Sequence, residues 1–501
     1  MEQIGKVRSL CPQCLAKIEG SKYVEEGKVY IMKNCPEHGK FITLVSEDVN
    51  HYRQMEECFD VDRAKAKEPL TATEKGCPFD CGLCPSHKQD TCLAVVEVTD
   101  RCNMKCTYCF ANSSMDESLD PDMDTIRLMF ETVKKCQNEP TCIQISGGEP
   151  TIRNDLPEII RMGKEIGINH IELNTNGIRM ASDQEYFNKI AAAGVDAIYL
   201  GFDGVSDEIY MQRTGRKMLD IKTEVINRCE KAGIGVVLVP LVAKGYNLHE
   251  VGSIIDFAAG RVPAVRGVHF QPVFHSGRSP SDMADKITIL KLLQEIEKQT
   301  NGQIKVSNFT PALMPHAHCG ATCLTLIDNG GYLPLTNVSM GAVKSASDVA
   351  SKTKKSIMGR WKGLEKDSTP DSGSCCGDIM IKGSCCEKPL SSITVKGSCC
   401  EKPLSDITIK GSCCEKPLID ILPKDSGSGK DESGGWADFI EMSKNNYLTI
   451  SMMAFQDAWS YEQDRVENCC IHVVTRDGRF VPFCNYNMTD CNGNFLYRNA
   501  I

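Results

Sequence analysis

The chain has 501 residues, 41% of them apolar and 25% charged, with a net charge of −9 and a pI near 5.7. That length is too great for one core and predicts roughly two to four domains. The acidic balance, with Lys and Arg scattered, excludes the basic footprint of a nucleic-acid binder.

Met1 to Lys6 lack the apolar core of a signal peptide, and no apolar run approaches the ~20 residues that span a bilayer, so a cytoplasmic location is expected. The 28 cysteines must then be explained in reducing surroundings, where clustered Cys-x2-Cys spacings point to metal rather than disulfides. Clusters and exposed thiolates oxidise readily, so an anaerobic host is expected.

Residues 1–70 pair Cys11-Pro-Gln-Cys14 with Cys35-Pro-Glu-His38-Gly across a hairpin-like stretch from Val24 to Ile31. Two cysteine knuckles flanking a small hairpin are the plan of rubredoxins and zinc ribbons, and predict one mononuclear iron or zinc. Three ligands are clear; the fourth is either His38 or Cys58. Residues 71–92 carry Cys77-Pro-Phe-Asp-Cys81-Gly-Leu-Cys84 and then Cys92, a complete four-thiolate set suited to a coordinatively closed auxiliary 4Fe-4S cluster.

Cys102-Asn-Met-Lys-Cys106-Thr-Tyr108-Cys109 repeats the x3, x2 spacing with an aromatic before its last cysteine. Three thiolates can hold three corners of a cubane and leave one iron open to a small molecule. The loop follows Leu93 to Val98, the first of six apolar β-type runs. The others are Cys142–Ile145, Ile171–Leu173, Ala197–Leu200, Val236–Val242 and Val268–Phe270, with helical periodicity between them, as in Ile221 to Ala232 before Gly233. This alternation over residues 93–300 predicts parallel strands with crossover helices. Ligand groups in such folds gather at strand C-terminal ends. Gly147-Gly148-Glu149-Pro150 ends the second strand, where two glycines allow close backbone approach. Asn174-Thr175-Asn176-Gly177 ends the third and Asp203-Gly204 the fourth; Gln271 and His275 follow the sixth.

From 367 to 434 the chain changes character. Gly-Ser-Cys-Cys-Glu-Lys-Pro-Leu recurs at Cys385, Cys399 and Cys413 with a 14-residue period, after a degenerate copy at Cys375. So short a repeat, rich in Gly and Pro, cannot bury a core of its own and reads as a duplicated, mobile insertion. Residues 301–366 and 435–501 regain a globular pattern. Cys319 and Cys323, with Cys469, Cys470 and Cys484, can supply one further cluster, five candidates competing for four positions.

Strand, then Cys-x3-Cys-x-aromatic-Cys, then Gly-Gly-Glu-Pro one βα unit later, resembles the radical S-adenosylmethionine (radical SAM) superfamily. The resemblance implies a partial TIM-like (β/α)6 barrel, here with an N-terminal rubredoxin-like domain and a C-terminal auxiliary-cluster region. It also implies S-adenosylmethionine chelated on the open iron of the Cys102, Cys106 and Cys109 cluster, and a 5′-deoxyadenosyl radical formed by reductive cleavage. By the same resemblance Tyr108, Gly147, Gly148, Glu149, Pro150, Asn174, Thr175 and Asp203 contact the cofactor, and a reductant such as ferredoxin supplies electrons.

The order of motifs is more specific. Glu74 through Lys88, Glu97-Val-Thr-Asp-Arg-Cys102, Ser451 through Ala458 and Cys469-Cys-Ile-His-Val-Val474 resemble the archaeal tetraether lipid synthase group. That resemblance implies three 4Fe-4S clusters and coupling of two unactivated lipid-tail carbons, with an archaeal diether lipid at the membrane surface as substrate and a peripheral membrane association. An apolar groove should then reach the cysteine loop, since each CH2 left in water forfeits ~0.8 kcal/mol. The alternative, carried by relatives of the same group, is a radical methyltransferase acting on 7,8-dihydro-6-hydroxymethylpterin; no Asp-x-His-x-x-Gly cobalamin signature occurs. A non-catalytic iron-sulfur carrier is a third reading, disfavoured because a carrier needs no open iron.

Overall fold

Four antiparallel strands form the N-terminal unit: β1 (Glu2–Leu10), β2 (Lys17–Glu25), β3 (Lys28–Cys35) and β4 (Gly39–Ser46), in that spatial order. The β2–β3 connection is the two-residue turn Glu26-Gly27, both with positive φ (52° and 74°), the twist-matched hairpin turn that favours glycine. The helix α1 (Val49–Glu57) follows. This is a computed structural model that describes residues 1–57, 70–115, 120–279, 286–312, 315–328, 330–336, 358–359, 408–410, 415–417 and 446–498. Cys58 and the Cys-Cys repeats at Cys375, Cys385, Cys399 and Cys413 lie outside the described residues.

The central layer is built from β5 (Leu93–Thr99), β6 (Cys142–Gly147), β7 (His170–Thr175), β8 (Ala197–Gly201), β9 (Gly235–Val239), β10 (Leu241–Val242) and β11 (Val265–Pro272). The helices between them are α2 (Met123–Cys136), α3 (Leu156–Ile166), α4 (Ile178–Ser182), α5 (Gln184–Ala192), α6 (Asp207–Thr214), α7 (Leu219–Ala232) and α8 (Val251–Ala259), with α9 (Ile289–Gln299) after β11. Five of the six runs legible in the sequence form single strands, the run Val236–Val242 is split at Pro240 into β9 and β10, and Gly233 ends α7 in the left-handed conformation (φ 71°). The α/β fold is as expected.

The C-terminal region does not form a separate layer. After β12 (Thr310–Pro311), β13 (Gly320–Asp328), β14 (Gly331–Pro334) and the hairpin β15 (Thr408–Lys410) with β16 (Glu415–Pro417), the chain adds β17 (Tyr447–Met453), β18 (Ile471–Val474) and β19 (Phe480–Pro482). β17 pairs parallel with β11, and β18 pairs parallel with β5. The parallel sheet therefore has eight strands in the order β17-β11-β9-β8-β7-β6-β5-β18, with antiparallel β13 and β19 beyond its two ends. Residues 454–470 carry the chain from one end of the parallel set to the other, and the N-terminal unit docks on this crossing. Ser9 Oγ donates to Tyr461 O (2.6 Å), Thr43 Oγ1 to Trp459 O (3.1 Å), and Lys22 pairs with Glu462 (2.6 Å).

Strand residues alternate between two faces. One face is the core against the helices: Ala94, Val96, Val98, Ile143, Ile145, Ile171, Leu173, Ile198, Leu200, Val236 and Leu238 are all buried there. The opposite face is mixed: Val95, Val473 and Phe483 pack there with Phe110, Phe274 and Phe455, and polar side chains lie beside them. Its registered rows run Val95, Gln144, Glu172, Ala197 and, one level higher, Glu97 beside Ser146 and Asn174 beside Tyr199. His269 and Ser451 continue the lining across β11 and β17, joined at 2.9 Å. No described helix is long and apolar enough to cross a membrane.

Candidate active site

Cys102, Cys106 and Cys109 lie on the loop leaving the C-terminal end of β5. The loop is pinned from three directions. Cys102 N–H donates to Ser114 O (2.8 Å), and Thr107 N–H to Arg213 O (3.0 Å). Cys109 and Arg278 exchange both backbone hydrogen bonds (2.7 and 2.9 Å), while the Arg278 guanidinium donates to Cys106 O (2.5 Å), Ser113 O (3.1 Å) and Asn112 Oδ1 (3.0 Å). Gly277, before Arg278, has φ 55°, and a Cβ there would lie 2.5 Å from Cys109 O and Phe110 O. Burial pushes the Cys102 thiol up to about 12, with Glu149, Cys106 and Cys109 adding to it, and burial also raises Cys106. Three thiols on a clamped loop, which would repel one another as thiolates, fit an iron-sulfur cluster, whose positive charge would offset the cost of holding them ionised.

The Gly-Gly-Glu-Pro turn serves this loop directly. A Cβ on Gly147 would meet Thr99 O at 2.1 Å, and one on Gly148 would meet Arg101 O at 2.2 Å. The close approach these glycines permit is thus to the end of β5 and the start of the cysteine loop; Gly148 and Glu149 N–H groups donate to those same carbonyls (both 2.9 Å). Glu149 is buried and links two strand ends: Oε1 accepts from Thr175 Oγ1 (2.7 Å) and Thr151 N (3.0 Å), Oε2 from Asn176 N (2.6 Å). Pro150 starts the short turn behind it. Asn174 donates to Ser146 Oγ (3.2 Å), and Asn176 reaches the cysteine loop at Asn103 (2.8 Å).

Asp203 is buried and grips Arg213 Nη1 with both oxygens (2.6 Å each), and Arg213 Nη2 donates to Tyr108 O (3.2 Å). The Asp203 carboxylate thereby braces the loop through Arg213. Tyr108 packs at 5.9 Å from Tyr246 beside Ile209, Ala243 and Val273. The buried Lys222 donates to Asn176 O, and burial lowers it to about 8. Arg213, Arg278 and Lys222 were not singled out from the sequence. Only Gly277-Arg278, after a strand end, offered a signal.

Gln271 is half-buried at the end of β11, its N–H on Pro240 O (2.8 Å). His275 is buried against Trp459 (4.4 Å between rings), with its N–H on Asp457 (3.1 Å).

In the N-terminal unit the ligand atoms of Cys11, Cys14, Cys35 and His38 all lie within 4.8 Å of one another. His38 Nδ1 is 3.6 Å from Cys11 Sγ and 3.5 Å from Cys35 Sγ. A tetrahedral ion with bonds of ~2.0–2.3 Å needs ligands this close, so the set fits one mononuclear metal.

Cys77, Cys81 and Cys84 line one cavity, and Asn485 Nδ2 approaches Cys81 Sγ (3.1 Å) and Cys77 Sγ (3.6 Å). Cys92, grouped with them in the sequence, lies elsewhere: its Sγ is 2.9 Å from that of Cys470. The cause is the sheet. Cys92 precedes β5 and Cys470 precedes β18, and those strands pair with Leu93 opposite Ile471. Cys319, Cys469 and Cys484 join them, each close enough to raise a neighbour's pKa, with Arg465 beside Cys319 and Cys484. Cys323 is not among them; it is buried in the core on β13.

A clamped three-cysteine loop at the C-terminal mouth of a parallel α/β sheet, beside a buried Gly-Gly-Glu-Pro turn, defines the class. Residues 96–258 match the model of the Radical SAM superfamily, and residues 3–47 match that of the HMPTM N-terminal zinc ribbon domain. The chain is 34% identical over 511 residues to the 7,8-dihydro-6-hydroxymethylpterin dimethyltransferase of Methanocaldococcus jannaschii, an alignment covering 96% of this chain and 93% of that protein. It belongs to the radical SAM superfamily, in the same family as that protein. It is also 27% identical to a probable GTP 3′,8-cyclase of Methanothermobacter marburgensis, over 48% of this chain and 82% of the other. Among solved structures it is similar to Streptococcus suis SuiB bound to S-adenosylmethionine, with a TM-score of 0.34 and 13% identity over 42% of this chain and 47% of that one. A radical SAM enzyme implies S-adenosylmethionine, a 4Fe-4S cluster and a reductant, and the ribbon implies a mononuclear metal.

Proposed function

We propose that this chain is a radical SAM methyltransferase acting on 7,8-dihydro-6-hydroxymethylpterin. The similarity along nearly its whole length to the pterin dimethyltransferase carries this reading. Polar side chains on the open face of the sheet are compatible with it. A pterin is a flat heterocycle edged with hydrogen-bond donors and acceptors, and Gln144, Glu172, Tyr199 and His269 offer partners for such edges. Glu172 is buried, its carboxylate accepting from Gln144 Nε2 (3.2 Å), and Tyr199 stands 6.4 Å from His269 between rings. The apolar side chains on the same face, Val95 and Val473 with Phe110, Phe274 and Phe483, would accept an alkyl chain, so the choice of substrate rests on the whole-length similarity. Coupling of lipid tails, the first expectation from sequence, therefore ranks second.

When bound, the cluster and S-adenosylmethionine supply the 5′-deoxyadenosyl radical. The chain's own residues hold and shield it. Cys102, Cys106 and Cys109 would hold the cluster, Arg278 and the Arg213–Asp203 pair fix the loop, and Glu149 ties the mouth of β6 to that of β7. The auxiliary cysteines and a ferredoxin-like reductant handle electrons.

Expressed in an anaerobic bacterial host that makes 7,8-dihydro-6-hydroxymethylpterin as a folate precursor, the protein should cause pterins with one or two added methyl groups to accumulate. Mass spectrometry of cell extracts checks this. Unchanged pterins in cells holding soluble, cluster-loaded protein would count against the reading.

A further inference from the structure

With Cys92 drawn to Cys470, the cavity of Cys77, Cys81 and Cys84 lacks the fourth thiolate that the sequence assigned to it. We propose that His87 takes that place, ligating a 4Fe-4S cluster through Nδ1 and making a three-cysteine, one-histidine site. The inference rests on the radical SAM class and not on the pterin reading.

His87 lines the same cavity, because its N–H closes a turn onto Cys84 O (2.8 Å). Its tautomer follows from its neighbours. Nε2 lies 2.9 Å from Cys469 O, and a carbonyl only accepts, so Nε2 carries the proton. His472 Nε2, 3.2 Å from the same atom, then accepts, leaving its own Nδ1 to donate to Thr91 Oγ1 (3.0 Å). The lone pair of His87 is therefore on Nδ1. A ring whose other N–H is anchored on a backbone carbonyl is the usual arrangement of a metal-ligating histidine. Asp80, Ser86 and Glu467 also line the cavity; the Asp80 carboxylate accepts from Glu74 N–H (2.7 Å), and Glu467 is engaged by Arg8 (3.1 Å) and Lys88 (2.9 Å). Histidine in place of thiolate raises a cluster's potential, so this site would be the more easily reduced of the auxiliary pair.

The test uses full-length C102A/C106A/C109A protein labelled with 15N-histidine, anaerobically reconstituted and reduced, without S-adenosylmethionine. Pulsed EPR of the reduced-cluster signal should show a strong 15N coupling that disappears in H87C, while H87C keeps its iron. Absence of that coupling in the parent, with auxiliary iron present, would overturn the proposal in favour of a thiolate such as Cys58. Coupling that persists in H87C would overturn it too, as would unchanged iron in a C77A/C81A/C84A variant. The parent spectrum decides whether a histidine ligates a cluster even if H87C does not fold.

Discussion

Replacing Cys102, Cys106 and Cys109 together by alanine should abolish 5′-deoxyadenosine formation while most of the protein's iron remains. The three thiols share one loop at the mouth of the sheet, and none contributes to the other cysteine groups. The Cys11 knuckle closes on His38 within the N-terminal unit, and Cys92 and Cys470 meet at the opposite, N-terminal end of β5 and β18. Seven residues of β5, at ~3.3 Å each, separate the two ends. Iron and sulfide analysis beside a cleavage assay checks the prediction. Loss of all iron from a soluble, folded variant would mean that the sites assemble as one unit.

Asp203→Ala should cost roughly 3–5 kcal/mol, the usual penalty for stranding one partner of a buried ion pair. Arg213 would keep its charge beneath the cysteine loop with no carboxylate to meet it, and its hold on Tyr108 O and Thr107 N–H would loosen. Asp203→Asn keeps a hydrogen-bonding side chain there and should lose less. Urea denaturation of the three proteins reads the difference directly. Equal midpoints for D203A and the parent would show that the pair does not brace the loop.

The sequence made the central parallel strands legible because each is a short apolar run punctuated by helical periodicity. It made the cysteine loop legible because its ligands are local. What it concealed is nonlocal. β17 and β18 look like an independent region, since nothing within residues 447–474 says that one strand pairs with β11 and the other with β5. That pairing is also what moves Cys92 away from Cys84, although only seven residues separate them in sequence. Gly147 and Gly148 are legible by type, but the Thr99 and Arg101 carbonyls that leave no room for a Cβ there are not. Arg213 and Arg278 were passed over because a lone arginine carries no periodicity or spacing. Gln144 and Glu172 carry no signal in the sequence; only strand register places them side by side.

The central claim is most directly tested by the rate at which purified, reduced protein forms 5′-deoxyadenosine from S-adenosylmethionine with either candidate substrate. The account predicts that 7,8-dihydro-6-hydroxymethylpterin raises the rate above the substrate-free background and that archaeal diether lipid leaves it unchanged. Stimulation by the lipid with joined tails as product, and none by the pterin, would contradict it.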